Sequence, residues 1–588
     1  FTLIQAGTAT NSSGGRIYGD QISIAANQLN NQGGAGTNPV IASRGDLDLG
    51  VGTFNNSEGA LLLSLGDTRV GGSLDANARA TGSAGAFINS SAEVEVFGNL
   101  TVNAASVQNV DAHGRSYERS TTEHIKEYLL LDEDHAQYMQ PLSEATGEMD
   151  WRLEYDEQYM AHYLFDDGSP HVGGNLWRID EYDRTITESG SSGRDPARIS
   201  VGGNMTVNAG STVNDKSSIL IGGNFLLTGG SLQNIDGYRS RTVTEDNGTS
   251  QISYTERGWY DWSRHWRRFF SDAGERLSTQ QTEYEAISAE LDYHTNPNHG
   301  SARPQAAQAV SVASLANAPT ATTATGLSGT PNNQLGRPGP GVVVRTLPAG
   351  LGSGGHVTGS GATAASSVNA PPIGLPSNAL FQVRIGAPAG YLVETDPEFT
   401  LQRRWLGSDY MLTQLGHDPA TQTQRLGDGF YEQKLVREQV AQLTGRRFLG
   451  SFSDDEVQYR ALLEAGVAFA QTYQLKPGIA LTGAQMALLT SDIVWLVERT
   501  VQLPNGRSQR VLVPQLYALV DRKTGTLQPG LISAKGATIN LSGGLFNSGT
   551  LAARDNLAIN AGSITNVLGQ MQGNNVDLRA RGGITSIL

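Results

Sequence analysis

The chain has 588 residues, with 57 acidic side chains against 42 basic ones for a net charge of -15, 17 % charged residues and no cysteine. Glycine contributes 71 positions, about 12 % of the chain against roughly 7 % in ordinary domains. These values exclude disulfide scaffolds, thiolate metal sites and cysteine nucleophiles, and they argue against a nucleic-acid partner, since tracking phosphates needs concentrated Lys and Arg. The length allows several domains, no run approaches the ~18 apolar residues of a membrane span, and the Phe1 start has no signal-peptide pattern, so the sequence reads as an excised piece.

From the start to residue 110 short β-favouring runs recur between Gly, Ala, Ser and Asn, as in GDQISIAANQLNN at 19–31 and GDLDLGVGTFNN at 45–56. The pattern sharpens in GNLTVNAASVQN at 98–109, GNMTVNAGSTVN at 203–214, GNFLLTGGSLQN at 223–234 and DNLAINAGSITN at 555–566, with a looser copy at 536–547. Asn204 and Asn224, and likewise Asn214 and Asn234, are 20 apart, while Asn547 and Asn566 are 19 apart. A period near 20 with one apolar residue in two is too short for a helical repeat and predicts a parallel β-helix, in which Gly and Asn occupy the corners. Asn204, Asn214, Asn224, Asn234, Asn547 and Asn566 are assigned to a structural ladder at a bend, where side-chain amides satisfy backbone groups. Repeats are expected over 1–110, 199–234 and 524–588.

Two segments interrupt them. Residues 111–198 form an acidic, aromatic-containing insertion, crowded with acids such as Asp132, Glu133, Asp134, Asp166 and Asp167. Residues 235–300 form a second, carrying Trp259, Tyr260, Trp262, His265, Trp266, Arg267 and Arg268, where large rings beside guanidinium groups suit either a partner contact or internal glue. The histidines gathered in these insertions never form HExxH or another compact ligand spacing, so no metal is expected. Paired acids alone do not establish a glycosidase, which needs two carboxylates facing one sugar.

Residues 301–372 are dominated by Ala, Thr, Gly, Ser and Pro, carry three arginines as their only formal charges, and predict a tether or a strand-like wrap. Residues 373–523 read as an α+β module. Apolar spacing after Gly429 predicts a helix; Ser453 with Glu456 and Thr482 with Gln485 predict two more through capping boxes; Pro504-Asn505-Gly506 between β-rich runs predicts a hairpin. Trp405, Tyr410 and Tyr431 suit a core or a binding face, and Asp409, Asp428 and Asp492 have no evident catalytic partner, an arginine or a helix start being enough to settle them.

The stretches YLVETDPEFT at 391–400, WLGSDYMLTQLG at 405–416, RLGDGFYEQKLVREQVAQLTGRRFL at 425–449, DDEVQYRALLEAGVAFAQTYQL at 454–475 and LTGAQMALLTSDIVWLVE at 481–498 closely resemble a module of filamentous-haemagglutinin-like two-partner-secretion exoproteins. The resemblance is strongest to contact-dependent growth inhibition toxin carriers, and the Asn-rich repeats resemble that family's haemagglutinin repeats. It implies export through an Omp85-type outer-membrane transporter, a filament on the surface of a Gram-negative cell, and recognition of an outer-membrane receptor or surface glycan on a neighbouring bacterium before a C-terminal toxin is delivered.

Taken together, the sequence predicts a mainly β chain: a right-handed parallel β-helix interrupted by insertions and by an embedded mixed α+β module. Its expected role is a noncatalytic surface filament without cofactor, whose receptor-binding residues are sought at 259–270 and at Trp405, Tyr410 and Tyr431. A structural filament or adhesin without toxin delivery, and a β-helical polysaccharide-processing enzyme, are the alternatives.

Overall fold

In a computed structural model the described residues are 1–34, 36–130, 153–155, 161–164, 170–172, 176–192, 195–236, 238–257, 266–270, 274–276, 278–286, 308–311, 342–346, 375–385, 390–401, 403–486, 488–521 and 530–587. Most of the acidic run from Asp132, most of the 301–372 segment, and Trp259, Tyr260, Trp262 and His265 lie outside them. The described chain is mainly β and divides into two compact units.

The first unit is built on two parallel sheets that the chain visits in turn. One sheet stacks Thr2–Ser12, Ile22–Gln32, Leu47–Ser57, Ala84–Ser90, Leu100–Val110, Met205–Asp215, Asn224–Ile235, Gly536–Leu541, Asn556–Ala561 and Asn575–Ala580. The other stacks Arg16–Gly19, Val40–Ser43, Leu61–Ser64, Glu93–Val96, Arg198–Val201, Ser218–Ile221, Leu531–Ala534, Thr550–Ala553 and Gln570–Gln572. Alternation along each strand sends one residue in two inward, so that Ile24, Leu49, Val102, Val207, Leu227, Ile539 and Ile559 form one stripe and Ile41, Leu62, Val94, Ile199, Ile219, Ile532 and Leu551 face it.

Two polar ladders hold the register. The inner one runs Asn11, Asn31, Asn56, Asn89, Asn109, Asn214, Asn234, Asn547 and Asn566, each donating its Nδ2 to the next Oδ1 at 2.7–2.9 Å. The same amides also reach the carbonyl that opens a strand of the second sheet, as Asn31 does at Leu61 and Asn89 at Arg198. The outer ladder runs Asp46, Asp67, Asn99, Asn204 and Asn224, where each side-chain oxygen accepts the backbone N–H of the next corner at 2.8–3.1 Å. The single Asn ladder expected from the sequence is therefore two: Asn214, Asn234, Asn547 and Asn566 are interior, and Asn204 and Asn224 sit on an exposed corner.

The α+β module belongs to this first unit. Its mixed sheet has the order Gln308–Ser311, Val342–Thr346, Ser508–Asp521, Arg425–Gly427, Tyr391–Thr395, Phe381–Val383, with Ile493–Gln502 paired to Ser508–Asp521 across the Asn505-Gly506 turn. Two strands of this sheet come from the segment read as a tether. Its helices are α1 (Pro397–Thr400), α2 (Ser408–Gln414), α3 (Gly429–Thr444), α4 (Asp455–Tyr473) and α5 (Gly483–Met486). Asp428 caps α3 by accepting from Tyr431 N at 3.0 Å, and Gly445 ends it in the left-handed region. Thr482 and Gln485 make the reciprocal box expected of them, whereas α4 is capped by Asp454, not Ser453, with Val457 N as donor. Met411, Val440, Leu463, Ala470, Trp495 and Leu516 fill the core between helices and sheet.

The second unit takes strands from both insertions, so the two excursions make one antiparallel sheet. Arg115–Leu130 lies at one edge, followed by Leu176–Ser192 and Tyr238–Arg257, whose far side carries Thr279–Ala286, Gly274–Glu275 and Trp266–Phe270. Tyr182 is buried where the register shifts, and the Arg276 guanidinium lies 3.9 Å from its ring centroid.

Candidate functional site

On the second sheet of the stack two rows point outward: Val40, Leu61, Glu93, Arg198, Ser218 and Ala42, Leu63, Glu95, Ser200, Leu220. A solvated wall would be polar at these positions; here Val40, Ala42, Leu61 and Leu63 are buried in one cluster with Leu380, Phe399, Leu426, Phe430 and Val511 of the module. Phe430 stacks on Phe97 at 6.5 Å with 15° between the rings. The sequence signal was present in Val40-Ile41-Ala42 and Leu61-Leu62-Leu63, because a run without alternation marks a strand buried on both faces.

The other half of this contact is ionic. Helix α3 is sandwiched between the module's own sheet and the stack, so Glu432, Gln433, Lys434, Arg437 and Gln439 are all buried. Lys434 Nζ meets both Glu93 oxygens at 2.8 Å and Glu438 at 2.9 Å; Arg437 Nη2 meets Glu95 at 2.7 Å; Arg447 grips Asp455 with two bonds of 2.5 and 2.6 Å. Arg198 stands 3.9 Å from both Glu93 and Glu438, so four cations face four carboxylates. Burial pushes the Glu95 carboxyl up, but the charges of Arg437, Lys434 and Arg447 outweigh it and hold the group down at about 2. The Arg437 and Arg447 guanidinium groups also lie 4.9 and 5.8 Å from the Phe97 ring. At Gly222 a Cβ would collide with the Phe448 ring, so only glycine lets the end of the α3 turn approach the wall.

The acids without evident partners in the sequence are satisfied. Asp409 accepts from Tyr391 Oη at 2.6 Å and pairs with Arg425 at 2.9 Å; Asp428 caps α3 and accepts from Thr395 N and Oγ1; Asp492 accepts from Leu519 N at 2.7 Å. One carboxyl stands apart. Glu432 is fully buried, accepting from Ser408 N and Oγ at 2.6 Å and from Tyr459 Oη at 3.1 Å, and burial pushes it up to about 7 despite those bonds. Because the folded value exceeds the ordinary 4.5, its stabilising share is complete below 4.5 and is lost as pH rises through about 7. Glu432→Gln is therefore expected to leave the hydrogen-exchange stability of the α3 amides flat over that window, where the unchanged protein loses on the order of 3 kcal/mol; a parallel fall in the variant would assign the loss elsewhere.

Of the residues proposed for receptor contact, Tyr431 is buried edge-on against Phe381 at 4.9 Å and belongs to the core. Trp405 is half-buried on Phe430, with the Arg403 guanidinium 4.1 Å from its ring centroid. Tyr410 is half-buried and donates to Glu464 at 3.1 Å. Arg403, Glu456, Arg460 and Glu464 surround these two rings, the last three spaced four apart on α4. Trp266, Arg267 and Arg268 lie on a strand paired to 255–257, while Trp259, Tyr260, Trp262 and His265 fall outside the described residues. No described helix is long and apolar enough to cross a membrane, which leaves strand-built spans untouched.

No family model and no solved structure matches the chain. It is similar to the tRNA nuclease CdiA-2 of Burkholderia pseudomallei (strain 1026b), 36 % identical over 213 residues, which is 36 % of this chain and 6 % of that protein. It is also similar to the toxin CdiA of Yersinia pestis, 39 % identical over 191 residues, 32 % of this chain and 6 % of the relative. A third relative is the deoxyribonuclease CdiA of Dickeya dadantii (strain 3937), 32 % identical over 176 residues, 30 % of this chain and 5 % of the relative.

These names overturn the expectation of a noncatalytic protein, since relatives are named as nucleases acting on tRNA and on DNA. The expectation rested on missing local motifs and on a charge of -15. Catalytic groups are brought together by folding from distant positions, and bulk acidity bears on phosphate tracking rather than on a local site. Over about a third of its length this chain is a homologue of the CdiA contact-dependent-inhibition proteins.

Proposed function

We propose that the chain serves contact-dependent growth inhibition as a cell-surface filament segment, carrying a module that meets the neighbouring cell, and that the inhibiting activity it serves is a nuclease. The two-sheet stack is read as a right-handed parallel β-helix, the hand that crossover connections between parallel strands almost always take. Homology to the CdiA proteins supports the inhibition role, and the buried ionic contact of α3 with Glu93 and Glu95 is the observation that carries the presenting role. A module held by paired buried charges is positioned as a rigid surface, which spares a binding partner the cost of ordering it. The partner would be an outer-membrane receptor or a surface glycan of the target bacterium, export would use an Omp85-type transporter, and the face around Trp405, Tyr410 and the exposed side of α4 would make the contact.

Deleting the module would strip cover from Leu61 and Leu63, so the test uses surface charges instead. Arg403→Glu with Arg460→Glu is expected to lower binding of the purified chain to susceptible cells by about tenfold, as loss of a central arginine contact does. Binding equal to that of the unchanged chain would remove this face from the proposal. Growth inhibition and cleavage of nucleic acid in the target cells, scored in parallel, read the nuclease arm separately.

A further inference from the structure

The edge strand Arg115–Leu130 of the second unit pairs with Leu176–Ser192 on one side, and among the described residues no strand covers its other side. Residues 117–124 are exposed. Natural edges are blunted by bulges, prolines, short length or charged side chains; this one is long, and its charges are of both signs, so that a partner of matching order can pair them. Toward its neighbour it is well matched: Ser120 bonds Thr187 at 2.9 Å, Thr122 bonds Thr185 at 3.0 Å, and His124 and Lys126 meet Glu181 at 3.0 and 2.9 Å. Glu118, Arg119 and Glu123, by contrast, have no ion pair among the described residues.

We propose that this edge pairs antiparallel with the same edge of a second copy of the chain, about a two-fold axis at Thr121. In that register Arg119 faces Glu123 of the second copy, Glu118 faces His124, Tyr117 faces Ile125 and Ser120 faces Thr122. Symmetry makes each pair twice, and residues of equal parity meet, so the pleat runs on without a break. Moving the axis by one residue, to Ser120 or to Thr122, loses the Arg119–Glu123 pair. Opposite charges directly across an antiparallel pair stabilise it and like charges destabilise it, so the sequence between 117 and 125 selects itself as partner. A single edge contact is weak, and copies displayed together on a surface would multiply it. The contact is homotypic and independent of the receptor face, so either can fail alone.

The test uses the full chain. Association followed by sedimentation is expected to weaken about tenfold or more in Arg119→Glu and in Glu123→Arg, each of which creates two like-charge pairs. The combined Arg119→Glu, Glu123→Arg chain is expected to regain the original association. Because the protein has no cysteine, Thr121→Cys supplies a unique thiol, which a short bismaleimide should join into dimers, while Gln281→Cys on the opposite edge should not. A monomer at every concentration, single swaps without effect, or a double swap that fails to restore association would each overturn the proposal.

Discussion

Replacing Arg437 with methionine is expected to loosen the module from the stack at neutral pH. The change leaves the Glu95 carboxylate buried against α3 with its nearest cation gone, and breaking one partner of a buried pair costs about 3–5 kcal/mol. Hydrogen exchange of the α3 amides reads it, because a global unfolding midpoint reports the whole chain while exchange reports one helix. Protection unchanged from the parent would mean that the apolar half of the contact suffices. Adding Glu95→Leu to Arg437→Met is expected to restore protection, since removing both charges of a buried pair is commonly neutral or better. The acid limb gives an independent check. Glu95 titrates at about 2 in the folded protein, below its ordinary 4.5, so its contribution is complete above 4.5 and is lost as pH falls toward 2.

Asn234→Ala should produce the other large effect, confined to one stretch of chain. Asn234 accepts from Asn214, 20 residues before it, donates to Asn547, 313 residues after it, and also reaches the Thr550 carbonyl. Its loss leaves the buried Asn547 Oδ1 without that donor, about 1–3 kcal/mol, and removes one acceptor from the Asn214 amide, which keeps the Ser217 carbonyl. Stability in a stack of coils is carried by nearest-neighbour contacts, so exchange should rise in 530–587 while 1–110 keeps its protection. Asn204→Ala, on the exposed ladder, should cost about 1 kcal/mol or less because water replaces the lost partner. Equal effects from the two substitutions would contradict the division into inner and outer ladders.

The repeats could be read from sequence because a strand period of two and a corner asparagine are local properties. The division of the asparagines could not, since Asn204 and Asn214 differ only in whether the corner faces the core. Helices α3, α4 and α5 were legible from capping residues and apolar spacing, while the short α1 and α2 were not expected, and α3 was misleading in a different way. Its Glu432, Lys434 and Arg437 look like a solvated face, and they are buried because a second sheet, distant in sequence, supplies partners. Tyr431 likewise turned inward to Phe381. The union of the two insertions into one sheet depends on pairs such as Thr185 with Thr244, which join strands far apart in the chain and leave no short-range mark.

The module touches the stack from Arg16, which pairs with Asp396 at 3.2 Å, through Arg44 and Glu93, to Arg554, whose guanidinium donates to the Gly450 carbonyl at 2.7 Å. A body fastened at intervals along a column acts as a splint. Bending the column between Arg16 and Arg554 would have to shear the apolar and ionic contacts as well as open the strand pairing, whereas among the described residues the coils of Asn575–Ala580 and Ile584–Ile587 are held by contacts within the stack and have no module contact to brace them. Flexure under lateral force should therefore concentrate just past Arg554, where the brace ends.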